Sequence, residues 1–303
     1  MKNYVIAWRN LWRNKRRTLI TVASVFFAVF FAVIMRAWQL GTYDHMFRNV
    51  IESYTGYIQI QQKDFQDNRI VDNAFEYDSA LESRIISTPN VVSAIPRFES
   101  FALASSGLLT KGVLVLGVDP EKETELSDIR SRLVRFRIDG GNFNELMQSG
   151  LPGKVKKRID LVRENAYATT AALCLELGIE DSDTAELMPL FRKYASVSNG
   201  YFSNGEKGVL VGYKLSRFLE ARVGDTLVLL GQGYHGTTAA GKYRINGIVK
   251  LPTPDIDNKI VYLPYDVCQE LYNAQGMLTS LAVSLKDNRD PAIDRTIVSL
   301  VKE

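Results

Sequence analysis

No charged side chain occurs between Thr18 and Met35 (TLITVASVFFAVFFAVIM), an unbroken run of 18 residues. A helix crossing a hydrocarbon core of about 30 Å needs roughly 20 mostly apolar residues. Residues 18–40 supply them if Arg36 snorkels its guanidinium to an interface. A helix half-buried in a soluble core has no need to exclude charge from every face. A cleaved leader has a shorter apolar core and an A-x-A-like site, and no such site follows this run. The reading is an uncleaved transmembrane helix over residues 18–40.

Lys2, Arg9, Arg13, Lys15, Arg16 and Arg17 precede the run, and no acidic residue does. Basic residues beside a spanning end stay on the cytoplasmic side. Residues 1–17 are therefore expected in the cytoplasm and residues 41–303 outside it, with bacterial inner-membrane placement. Val5, Trp8, Leu11 and Trp12 recur at helical spacing opposite Lys2, Arg9, Arg13 and Arg16, as in an amphipathic helix lying in the interface. Indole rings suit that depth, and a basic stripe suits anionic lipid headgroups. Trp8, Trp12, Arg9, Arg13, Arg16 and Arg17 are the candidate membrane-contact residues.

The formal charge of +3 belongs to this leader. Without its six basic residues the chain holds 31 Lys and Arg against 34 Asp and Glu, a charge of −3. No basic stripe with interleaved aromatics follows residue 17, so nucleic acid is excluded as an expected partner. Cys174 and Cys268 read as two buried thiols, because nothing in their spacing forces a pair.

Past the span, residues 57–61 alternate as a strand, 79–87 have helical spacing, and 91–95, 100–104 and 112–118 read as strands. Residues 259–263 and 278–285 read as strands, each followed by a helix at 265–274 and 291–301. Two such units can interleave into one split βαβ sheet. Between them lie a helical insert at 144–201, with helices expected at 155–163, 166–177 and 184–194, and a β-rich insert at 208–251. The expected fold is α+β: one N-terminal transmembrane helix, then an extracytoplasmic split βαβ domain over 41–303 carrying both inserts.

Chemistry-bearing motifs fail on context. Gly231-Gln232-Gly233-Tyr234-His235-Gly236 is a GxGxxG following a strand, but a dinucleotide site needs a helix N-terminus directly after it. A mobile hairpin loop is expected instead. The overlapping Gly236 to Lys242 stretch resembles a P-loop, yet Tyr243 stands where the magnesium-binding hydroxyl belongs. The two histidines, His45 and His235, belong to no metal or triad motif. Asp255 and Asp257 read as a solvated turn, and Asp181-Ser182-Asp183 as a helix cap. No catalytic residue, metal or cofactor is expected, and the chain is not expected to be an enzyme.

The stretch Ala7-Trp8-Arg9-Asn10-Leu11-Trp12-Arg13-Asn14-Lys15-Arg16-Arg17-Thr18 leading into a span resembles the start of MacB/LolCE/FtsX-type ABC transporter permeases. Gly56 to Gln61, Val91 to Arg97, Gly117-Val118-Asp119-Pro120 with Glu123, Gly208 to Gly212 with Val223-Gly224-Asp225, Gly247 to Val249 and Val261 to Pro264 resemble family segments in the family's order. The helical insert has no counterpart in that resemblance. The resemblance implies a permease subunit whose first helix precedes a MacB-like periplasmic core domain. It further implies a cytoplasmic ABC ATPase partner, membrane lipid around the span, a second permease copy, and an envelope lipoprotein or export partner. Family permeases continue with three more spans, and no second apolar run of that length occurs here. A truncated or split permease is thus expected, the alternative being a single-pass anchored binding or scaffold protein.

Overall fold

The computed structural model describes Trp8, residues 12–51 and residues 55–302. These form two compact units, one up to Asn49 and one from Val50 onward.

In the first unit, helix α1 (Lys15–Val50) runs for 36 residues, about 54 Å at 1.5 Å per residue. Its segment Lys15–Tyr43 is long and apolar enough to cross a membrane. Phe26, Phe27, Phe30 and Phe31 project outward and touch one another along the helix. Arg36 donates to Gln39 Oε1 at 3.1 Å, reaching toward the C-terminal end as a snorkelling side chain does.

The second unit begins with β1 (Ile58–Ile60), β2 (Phe75–Glu76) and α2 (Ser79–Ser87). The Asp78 carboxylate accepts from the Ala80 N–H at 2.9 Å and starts α2. Then come β3 (Val91–Ser106) and β4 (Leu109–Val118). The separate strands expected at 91–95 and 100–104 are one strand of 16 residues. Pro96 does not break it, because the β4 ladder begins one residue later at Arg97.

The helical insert follows, with β5 (Phe136–Ile138), α3 (Phe143–Gln148), α4 (Gly153–Leu161), β6 (Asn165–Tyr167), α5 (Thr170–Leu177) and α6 (Asp181–Tyr194). It packs its own core around Ile138, Leu146, Ile159, Leu173 and Phe191. Two expectations are corrected here. Ala166 and Tyr167 belong to β6, paired with β5, and α5 starts later because Thr169 Oγ1 accepts the Ala172 N–H. Glu180 occupies the N-cap position of α6, so Asp181 and Asp183 sit in its first turn and act through the helix dipole.

The chain ends with β7 (Gly208–Gly212), α7 (Tyr213–Phe218), β8 (Thr226–Gln232), β9 (Thr238–Val249), α8 (Pro254–Asp257), β10 (Ile260–Pro264), α9 (Tyr265–Tyr272), β11 (Met277–Leu278), β12 (Ser280–Leu285) and α10 (Asp290–Lys302). One eight-stranded sheet has the order β1-β12-β3-β4-β10-β7-β9-β8, and an added β3–β8 pairing closes its last six strands into a barrel. The fold is α+β, and β12 lies between β1 and β3, which is the interleaving a split βαβ sheet requires. Helices α2 and α10 cover this open part through Ile85, Leu81, Ile293 and Leu300. The β-rich stretch forms no sheet of its own, since β7, β8 and β9 complete the barrel with β3, β4 and β10.

β3 makes the closure possible by serving two partners along one edge. Its residues 91–97 pair with β12, and residues 102–105 pair with β8. Across the gap, Thr279 Oγ1 accepts the Glu99 N–H at 2.7 Å. Val115, Val211, Leu229, Ile245 and Val261 fill the barrel, with Leu215 of α7 and Cys268 and Tyr272 of α9 packed against them.

Asp257 is buried, which corrects the solvated turn expected there, whereas Asp255 is exposed. Its carboxylate accepts from the N–H groups of Leu251, Lys214 and Tyr213 at 2.9, 2.9 and 3.2 Å. Burial pushes this carboxyl above the usual range, opposed by those backbone donors. A Cβ on Gly212 would run into the carbonyl oxygen of Asp257, so β7 has to end in glycine. Asp257→Ala leaves three backbone donors unmet and is expected to cost about 2–4 kcal/mol, read as a lowered urea midpoint. A loss below about 0.5 kcal/mol would show that water replaces the carboxylate.

Candidate functional site

The membrane-contact residues read from the sequence fall at the start of the helical region. Trp8 and Trp12 are exposed, with ring centroids 6.0 Å apart, and Lys15 Nζ lies 5.5 Å from the Trp12 ring centroid. Arg13, Arg16 and Arg17 are exposed. Arg9, with Lys2, Val5 and Leu11 from the same pattern, lies outside the described residues.

The GxGxxG stretch is the end of β8 and the turn from it into β9. Strand β9 resumes at Thr238, so no helix N-terminus meets the loop and no phosphate cradle forms. His235 and Gly236 take left-handed φ values of 52° and 75°. The expected hairpin loop is present. The His235 N–H donates to Asp72 Oδ1 at 2.6 Å, and the Gly233 N–H to Thr237 O at 2.7 Å. The P-loop-like residues lie within β9 and its approach. Among the described residues, no three His, Cys, Asp or Glu side chains converge to hold a metal. Cys174 and Cys268 are free and buried, and burial pushes the Cys268 thiol up, away from reactive thiolate.

A surface that sequence reasoning missed lies on the outside of the barrel. β3 and β4 meet in a two-residue turn at Gly107-Leu108, where Gly107 takes φ +59° and Leu108 is 103% exposed. Along β3, Ala102 and Ala104 point inward, while Phe101 and Leu103 point outward at 54% and 51% exposure. Phe101 is registered opposite Leu114 on β4, and Leu103 lies between Gly112 of β4 and Leu230 of β8. Leu230 is 48% exposed. A Cβ at Gly112 would meet nothing within 4 Å, so the missing side chain leaves open space on this wall. The result is a shallow, open depression of about 630 Å³ that Lys259 also lines.

Lys111, registered opposite the inward-facing Ala104, lies on the other face of β4. Its Nζ donates to Asn258 Oδ1 at 2.7 Å and lies 4.1 Å from the centroid of the Phe218 ring. Burial, then the charge of Lys259, holds the Lys111 amine below its ordinary value. One signal in the sequence pointed to the exposed wall. β3 and β8 are apolar on both faces near Phe101, Leu103 and Leu230, as befits strands covered on two sides.

No protein-family model matches the chain, and no curated protein does. Among solved structures, the chain is similar to the extracellular domain of the noncanonic ABC-type transporter YknZ from Gram-positive bacteria. That alignment covers 76% of this chain and 81% of the other at 9% identity, with a TM-score of 0.38. It is also similar to the periplasmic region of MacB from Actinobacillus actinomycetemcomitans, over 80% of this chain and 81% of the other at 11% identity, with a TM-score of 0.38.

Proposed function

We propose that this chain is the anchoring and extracytoplasmic part of a permease-type ABC transporter subunit, of the lipoprotein-release or export kind. The observation that carries the reading is an apolar helix with a basic leader, α1, joined to a split βαβ domain. The ordered motifs from Ala7 to Pro264 support it. On this reading the N-terminus is cytoplasmic, the membrane is the bacterial inner membrane, and a separate cytoplasmic subunit hydrolyses ATP. The chain's own role is mechanical, not enzymatic: α1 and the outer domain shift between two arrangements as the partner cycles. Trp8, Trp12, Arg9, Arg13, Arg16 and Arg17 hold the leader at the lipid interface, and a second permease copy completes the subunit pair.

Affinity capture of the full chain from solubilised membranes tests this. A nucleotide-binding subunit with P-loop motifs is expected to co-purify. A stable envelope complex containing no ATPase would instead favour a single-pass binding or scaffold protein. The observation favouring that second reading is the exposed wall of Phe101, Leu103 and Leu230.

A further inference from the structure

The helical insert has its own core, and its two connections to the barrel run side by side. The Val197 N–H donates to Arg135 O at 2.9 Å, and the Arg137 N–H to Ala195 O at 2.8 Å. Both passes are seated on β9. The Val134 N–H donates to Ile248 O at 2.9 Å and the Gly200 N–H to Asn246 O at 2.8 Å. The Asn199 side chain bridges them, donating to Val134 O and accepting the Ile248 N–H. Residues 134–135 and 197–199 thus form a two-stranded neck between insert and barrel.

Beyond the neck, the insert meets the barrel where α4 turns into β6. The Tyr213 hydroxyl on α7 donates to Glu164 O at 2.7 Å, and Arg217 Nη1 donates to the same oxygen at 3.3 Å. Arg217 Nη2 also pairs with the Glu164 carboxylate. Lys250, just past β9, donates from Nζ to Asn165 Oδ1 and to Ala166 O, both at 2.7 Å. The apolar share of this seam is small: Ala166 packs with Val134, Tyr213 and Ile248.

Two costs are built into the closed seam. Glu164 sits at φ 60°, a left-handed backbone that is unfavourable for a residue with a Cβ, and the Tyr213 and Arg217 donors hold it there. Burial keeps the Lys250 amine below its ordinary value, so seating the insert desolvates a charge that its two acceptors must offset. Compact parts of a chain joined across a small polar interface move against each other unless specific contacts hold them. We propose that the helical insert is a hinged arm, which turns on its neck and is latched shut by Tyr213, Arg217 and Lys250 gripping residues 164–166. The arm turns as a rigid body, because Leu146, Ile159 and Phe191 stay packed inside it. The hinge goes beyond the transporter reading and stands apart from it, since the latch opens without nucleotide or ATPase.

The test uses the full chain in nanodiscs, spin-labelled at Lys193→Cys on the insert and Lys242→Cys on the barrel, both exposed positions. Cys174 and Cys268 are buried, and the chain without added cysteines checks that they take no label. Pulsed electron paramagnetic resonance reads the distance between the labels, and hydrogen exchange reads the insert's core amides. The labelled chain is expected to give a dominant distance and a minor, different one. Arg217→Ala with Lys250→Met is expected to raise the minor population about tenfold while the amides of Leu146, Ile159 and Phe191 stay protected. A distance distribution unchanged by the double substitution would overturn the proposal, because insert and barrel would then be one rigid body. So would a broadened distribution with fast exchange across the insert's core, because the three side chains would then support the arm's own fold. ATPase capture can fail while the latch behaves as expected, and the reverse, so the two readings are judged separately.

Discussion

Arg97→Met is expected to destabilise the domain that follows α1 by about 3–5 kcal/mol, because it strands a carboxylate in the interior. Arg97 on β3 and Glu123 in the short helical turn Lys122–Glu125 are both fully buried. The guanidinium grips the carboxylate with two nitrogens: Nε donates to Oε2 at 3.1 Å, and Nη2 donates to Oε1. Ser127 Oγ also donates to Glu123 Oε1, at 2.5 Å. Glu99 on the same strand face adds a second negative charge acting on Arg97. Tyr262 of β10 is buried beside them, and burial pushes its phenol up.

The pair pins the connection after β4 onto the barrel's outer face, where Leu116, Val118, Ile129 and Tyr262 make a second core. The ion pair itself need not be stabilising relative to apolar residues, because desolvating two charges offsets much of their attraction. The double variant Arg97→Met with Glu123→Leu is therefore expected to regain part of the loss, because buried Glu99 also loses the charge of Arg97. Urea unfolding of the single and double variants checks both statements. A single-variant loss under about 1 kcal/mol would mean that water or another group satisfies Glu123.

Placing two arginines in the middle of α1, Phe26→Arg with Phe30→Arg, is expected to abolish stable membrane integration. The two rings stack on one face a turn apart, with centroids 5.9 Å apart, so both charges would lie near the middle of the 15–43 segment. Each arginine at the centre of a spanning helix costs about 2.5–3.5 kcal/mol on insertion scales. Together they oppose insertion by roughly 5–7 kcal/mol. The check is alkaline carbonate extraction of membranes. Wild-type chain is expected in the pellet and the variant in the supernatant or degraded. Retention of the variant in the pellet would remove α1 as the anchor and leave the permease reading without its support.

The parts of the fold that the sequence made legible are those set by neighbours along the chain. The spacing of Leu81, Ile85 and Ile86, with Asp78 before them and Thr88-Pro89 after, marks α2, and the helix spans Ser79–Ser87. The strand before Tyr265 and the helix after it also fall where the pattern puts them. The exposed wall left one trace in the sequence, apolar residues on both faces of β3 and β8, and that pattern reads as a covered strand. A continuous apolar run such as residues 112–118 announces a strand covered on both faces, and that holds for Val115, Leu116 and Val118. For Phe101, Leu103 and Leu230 the same pattern ends in exposure, because no element of the described chain packs over that side of the barrel. The buried charges were hidden for a related reason. Asp257 meets Tyr213 and Lys214 more than forty positions away, and Arg97 meets Glu123 across 26.

The sequence by itself determined the apolar helix, its basic leader, the α+β class and the failure of the glycine motifs to meet a helix. Each depends on composition or spacing within one or two turns of chain, where sterics and solvation act locally. Only the tertiary structure decided that β3 would continue through Pro96 and bond to β8, that the β-rich stretch would complete the main barrel, and which faces would stay uncovered. Those outcomes rest on pairings between residues over a hundred positions apart, such as Leu103 with Leu230. Their energy comes from closing a ladder and burying a shared interior, and no local window of sequence carries that information.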